Sequence, residues 1–208
     1  MKHIFIIILC IGIKSTTISQ TNHLKLIGSD NSFQMESKTV GQCKQFIPKG
    51  WSTQTNQEGT AIDLTSQDKS MYAGYIVFPM MPNMRNYYPN NELYSNNPQV
   101  VISKLAGLIV QSMTGYEDKF LFDNTYIVNY GKYILTKING NNFKGSILYT
   151  IIPGDGVNVS NYISLRIALA KPLQWNNYQD LLSRVAYSIR CEAIYVEHDF
   201  PIVKARIS

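Results

Sequence analysis

The chain has 208 residues, 45% of them hydrophobic and only 16% charged, with a formal net charge of +5. That much apolar material excludes intrinsic disorder and suits one domain with a sizeable core. Its lysines and arginines fall singly, never in runs, so the chain lacks the clustered footprint that phosphate contacts need, which argues against a nucleic-acid partner.

Lys2 and His3 precede an unbroken apolar stretch from Ile4 to Ile13, and a Ser/Thr-rich run follows to Ser19. A basic start, an apolar middle and a small polar end are the layout of a secretory signal. The apolar part is about half of the roughly twenty residues that a membrane span requires. We therefore expect residues 1–19 to be a signal peptide, cleaved after Ser19 or Ser15, and the protein to be secreted or periplasmic. The competing reading is an uncleaved anchor or a buried N-terminal strand. Leu9 before Cys10 is not the small residue that a lipid-attachment signal wants. No later segment is apolar enough to predict a membrane span in the mature chain.

Removing the leader removes Cys10 and leaves Cys43 and Cys191. An even pair in an oxidising compartment is a disulfide candidate. A bridge between them closes a loop of about 150 residues, worth up to roughly 5 kcal/mol in the chain-entropy model. Two separate buried thiols are the alternative.

Along the mature chain, residues 20–41 are polar and read as an exposed arm. A domain over 42–195 and a tail over 196–208 complete the division. Gln45-Phe46-Ile47 predicts a short strand ending at Pro48, and Trp51 opens another extended segment. Ala61 to Leu64 and Tyr72 to Phe78 follow as strands, the second rich in aromatic and β-branched residues. Residues 80–97, MMPNMRNYYPNNELYSNN, form a long loop, and loops of this length are usually functional or disordered. Asn97-Pro98 then caps and starts a helix that Gly115 stops. Gly107 within it weakens the helix and permits close packing.

From Phe120 to Ala170, four strands (125–130, 132–138, 143–152 and 161–169) lie between turn signals, including Asp123-Asn124, Asn139-Gly140 and residues 153–156. In the last of them Ile163, Leu165, Ile167 and Leu169 alternate with Ser164, Arg166 and Ala168, which predicts one buried and one wetter face. Pro172 ends the block, and a final helix is expected from about Asn177 to Ile189, with Asn177 as cap and Asp180 completing a capping box. Consecutive strands on short connections argue for an antiparallel meander. The expected fold class is α+β: an antiparallel sheet covered by two main helices in an α/β/α-type layered sandwich.

Phe46-Ile47-Pro48-Lys49-Gly50-Trp51 resembles the aromatic-x-Pro-x-Gly-Trp opening of PsbP-like domains, and Ala186-Tyr187-Ser188-Ile189 is similar to the end of their closing helix. That superfamily includes the photosystem II extrinsic subunit, a Ran-binding family and bacterial periplasmic members. The resemblance implies a binding or assembly subunit. Its opening motif is structural and carries over no catalytic residue, and the 80–97 loop departs from the pattern.

The sequence has no GxSxG, HExxH, P-loop or GxGxxG motif, so no catalytic residue is assigned. Glu197-His198-Asp199 lies in the tail and its adjacent side chains alternate in direction, so neither a metal site nor a cofactor is expected. Recognition chemistry concentrates in the loop, where Arg85, Tyr87, Tyr88 and Tyr94 offer flat rings and a planar cation among amides. Tyr and Arg dominate binding hot spots because they bury large area at low entropy cost. The competing reading folds these tyrosines back over the sheet. The expected function is a non-catalytic domain recognising a protein or cell-envelope partner, an immunity or inhibitor protein being one version. The alternatives are an envelope hydrolase with carboxylates converging in a cleft, taken from Asp63, Asp68, Glu117, Asp118 and Asp123, or a carrier of a small apolar ligand.

Overall fold

The computed structural model describes residues 34–40, 43–56, 60–128, 132–154, 156 and 158–191. The expected leader, the first part of the arm and the tail lie outside the described residues. Strand structure begins inside the segment read as an arm. Met35–Val40 (β1) pairs antiparallel with Cys43–Pro48 (β2), with Val40 opposite Cys43 and Met35 opposite Pro48. Polarity hid this strand, because in residues 35–40 only Met35 and Val40 are apolar. After Pro48, Gly50 takes a left-handed φ of 87° and the Trp51 amide donates to Pro48 O. Ser52–Thr55 (β3), Ala61–Thr65 (β4) and Met71–Met80 (β5) follow.

Two 3-10 turns, Pro82–Asn86 and Glu92–Tyr94, punctuate the long loop before helix α1, Pro98–Thr114. The helix starts and stops where its residues dictate. The Asn97 side chain accepts the Gln99 amide at 2.9 Å, Pro98 fills the first turn, and Gly115 closes the end at φ 84°. Leu121–Val128 (β6), Tyr133–Asn139 (β7), Lys144–Pro153 (β8) and Asn161–Ala170 (β9) form the expected meander. Asp123-Asn124 is no turn between strands. It sits inside β6 as a register shift, with Asn124 at φ 45°.

Helix α2 spans Pro172–Ser188, and Arg190–Cys191 (β10) ends the described chain. The helix starts earlier than expected, and Asn177 is interior to it. Pro172 occupies the first turn, where a missing N–H costs nothing, so the proline opens the helix and does not merely end the strand.

Seven strands form one antiparallel sheet in the order β3-β4-β5-β9-β8-β7-β6, and three form a small sheet in the order β1-β2-β10. Directly opposed residues share a face. Ile163, Leu165, Ile167 and Leu169 of β9 therefore lie with Phe78, Ile76, Gly74 and Tyr72 of β5, and this face packs on Val101, Ile102, Leu105, Ile109 and Met113 of α1. The opposite face, with Ala168, Ala170, Met71, Ala73 and Tyr75, meets Trp175, Leu182, Val185 and Ala186 of α2. Met35, Ile47 and Trp51 join this second cluster, so the Phe46–Trp51 motif serves packing.

The wetter face expected for β9 is absent: Ser164 and Arg166 are buried as well as the isoleucines. A central strand with a helix on each side has no wet face. Arg166 tolerates this because its Nε donates to Ile189 O at 3.2 Å and its guanidinium lies 5.0 Å over the Tyr75 ring. Ser146 on β8 meets the Ser183 hydroxyl and accepts from Tyr187, each at 2.9 Å, tying α2 to the sheet. The architecture is the expected α+β sandwich, with α2 and the small sheet sharing one layer.

Candidate functional site

The 81–97 loop is held in shape by its own side chains. Met80 O, at the end of β5, accepts both the amide (3.0 Å) and the hydroxyl (3.2 Å) of Ser160, so the β8–β9 connection buttresses the loop's start. Amides of Tyr87 and Tyr88 both donate to Met84 O. The Asn91 side chain accepts from the Leu93 amide at 3.1 Å, and Leu93 packs against the α1-side core. Ser95 is buried and its hydroxyl accepts from Asn97 N at 3.1 Å, leading directly into the cap of α1. Asn and Ser thus act as local turn formers, the use their short polar side chains favour.

This scaffold leaves aromatic rings in solvent. Tyr87 is 75% exposed and Tyr88 46% exposed. Tyr88 and Tyr94 pack against each other with ring centroids 5.6 Å apart and planes tilted by 34°. The segment Tyr87–Glu92 and Lys104 of α1 line a shallow open cleft of about 580 Å³. Lys104 Nζ lies 2.6 Å from Glu117 Oε1, so its charge is partly answered within the protein.

Of the expected site residues, Tyr87 and Tyr88 line the cleft and Tyr94 supports Tyr88 from behind. Arg85 is exposed on the same loop but does not line the cleft. The reading that folds the tyrosines back over the core fits Tyr94 in part and does not fit Tyr87. Sequence reading missed Asn90, Asn91, Glu92 and Lys104. The first three stood in the composition of the loop, whereas nothing in the sequence brings Lys104 to it.

Four of the five carboxylates considered for hydrolysis have structural partners, and the fifth, Asp123, is exposed on β6. Asp118 is buried and accepts the backbone amides of Asn141, Asn142 and Phe143 at 2.8–3.0 Å, which fixes the β7–β8 turn. Asp63 accepts a hydrogen bond from the Tyr72 hydroxyl, and its burial raises its pKa while that bond lowers it in part. Asp68 closes the β4–β5 turn through the hydroxyls of Ser66 and Ser70. Glu117 pairs with Lys104. Among the described residues no group of three His, Cys, Asp or Glu is placed to hold a metal ion, and no helix is long and apolar enough to cross a membrane. Cys43 and Cys191 occur as opposed residues of β2 and β10, with their side chains outside the described part of the structure.

No protein-family model matches the chain, and no curated protein matches it. Among solved structures, the chain is similar to the cyanobacterial PsbP of Synechocystis sp. PCC 6803, at 13% identity and a TM-score of 0.41, over 79% of this chain and 98% of that one. It is also similar to the Ran-binding protein Mog1p of Saccharomyces cerevisiae, at 9% identity and a TM-score of 0.36, over 76% of this chain and 96% of that one. The likeness is distant.

Proposed function

We propose that this protein is an exported, non-catalytic domain that binds a protein partner outside the cytosol through its 81–97 loop. The observation that carries the reading is the exposure of Tyr87 and Tyr88 on a loop already ordered by Asn91, Ser95 and Ser160. Exposed rings on a mobile segment lose much of their binding energy to ordering; rings on a fixed frame do not. Glu92 and the asparagine amides beside them supply the polar rim that protein interfaces use. Export rests on the basic, apolar and small-polar order of residues 1–19. An inhibitor or immunity protein is a concrete form of this function.

The test is affinity capture from the source organism's envelope fraction, run in parallel with wild-type protein and with Tyr87→Ala/Tyr88→Ala. Both residues are exposed, so the variant should melt with the wild type. A partner retained by the wild type and weakened at least tenfold in the variant supports the loop, since truncating a hot-spot tyrosine costs about 1–2 kcal/mol or more. Equal capture by both overturns the loop as the binding surface. Intact-mass measurement of native material, with residues 1–19 absent, tests the export component separately.

A further inference from the structure

β10 is two residues long, leaves α2 directly and runs antiparallel to β2. Its register places Arg190 opposite Lys44 and Cys191 opposite Cys43. Cys43 also lies opposite Val40 of β1, so it sits in the central strand of the small sheet. Opposed residues of an antiparallel ladder have Cα atoms about 4.5–5.5 Å apart. A disulfide spans Cα separations of about 4.4–6.8 Å. The backbone pairing alone therefore brings into bonding range two cysteines from opposite ends of the mature sequence. Spacing along the chain could not have shown this, because it says nothing about register.

We propose that Cys43 and Cys191 form a cross-strand disulfide that fastens the C-terminal strand to β2 and closes the domain into a covalent ring. The sulfur–sulfur bond forms as both thiols are oxidised, and the two electrons and two protons pass to a small or protein disulfide, which leaves as two thiols. A two-residue strand has few ladder bonds of its own to keep it in place. Upstream, the Arg166 Nε to Ile189 O bond anchors the chain immediately before β10. A covalent bond at Cys191 holds the other side of that short strand. It thereby holds the small sheet, whose Met35 and Ile47 cover the α2-side core beside Ile189. In the cell, formation rests on the export reading above, because reducing compartments keep such thiols apart.

The experiment uses the full chain carrying Cys10→Ser, equilibrated with oxidised and reduced glutathione, then alkylated while folded. The expected product is lighter than the reduced chain by two hydrogens, takes up no alkylating reagent, and yields one non-reducing peptide joining the segments that contain residues 43 and 191. Alkylation of both thiols, or linkage only between separate chains, overturns the bridge. Melting temperature reads its effect. Dithiothreitol should lower that of the oxidised chain to the level of Cys43→Ser/Cys191→Ser and leave the double variant unmoved; an unmoved Cys10→Ser chain overturns the fastening role. A bridge formed in glutathione, together with free thiols in native material, supports the bridge and overturns export, so the two failures are distinguishable.

Discussion

Asp63 on β4 and Asp68 in the turn that follows are held in opposite protonation preferences. Burial drives Asp63 above the ordinary carboxyl value of 3.8, with the Tyr72 hydroxyl opposing. Tyr72 reaches it by laying its ring across Gly74, the residue opposite Asp63 on β5, where any Cβ would strike the phenol. For Asp63 the folded state binds the proton more tightly than the unfolded chain. Its contribution to stability is full below pH 3.8 and is lost as pH rises through the raised folded pKa. Asp68 behaves conversely. The Ser66 hydroxyl, then the Ser70 hydroxyl and amide, hold it below 3.8, so its contribution is full above that value and fades as pH falls through the lowered pKa. Asp63→Asn should therefore raise the melting temperature at pH 7, with the gain vanishing toward pH 4. Asp68→Asn should lower it slightly at pH 7, with the loss vanishing in strong acid. Thermal denaturation across pH 2–8 reads both, and an Asp63→Asn chain less stable than wild type at pH 7 would refute the assignment.

Helix α1 shows how far local signals carry. Its cap, its first-turn proline and its terminal glycine are all chemical statements within a few residues, and the helix begins and ends where they stand. Helix α2 shares only the first-turn proline, Pro172, and has neither a capping side chain nor a terminal glycine. Its N-cap is Lys171, which makes no side-chain cap bond, so the Asn177–Asp180 pattern inside it misdirects a reading by motif. Gly107 illustrates the tertiary part. A Cβ there would stand 2.6 Å from Asp118 O, backbone that cannot swing aside because the Asp118 side chain is committed to the β7–β8 turn. Gly107→Ala gains about 1 kcal/mol of helix propensity in isolation. In the folded protein the clash should outweigh this and leave a net loss of about 1–3 kcal/mol, the usual cost of overpacking. Urea denaturation measures the sign, and a stabilised variant would show that α1 can move away from the 117–118 segment. Sequence suggested close packing at this glycine but could not identify what approaches it.

At the scale of the whole molecule, neighbours in sequence were legible and distant partners were not. The β6–β9 meander follows from turn residues between consecutive strands. The β5–β9 pairing that joins the two halves of the sheet, from Met71 opposite Ala170 to Met80 opposite Asn161, has no local signal. Nor does the approach of Lys104 to the loop tyrosines, which depends on how the loop returns over α1. That central pairing also sets how the molecule should open. β9 is covered on both faces and hydrogen-bonded on both edges, whereas β6 is the sheet's edge, and Leu121 and Ile127 on it are 76% and 74% exposed. Local opening energies follow buried apolar contact and paired backbone, so the two strands should exchange amide protons by different routes. Amides of Ile163–Leu169 should exchange only through global unfolding, with a steep dependence on denaturant. Those of Leu121–Val128 should exchange through shallow local opening that low denaturant barely alters. Native-state hydrogen exchange along a denaturant series separates the two, and equal protection of β6 and β9 would mean that the edge strand is held by contacts beyond the pairing with β7.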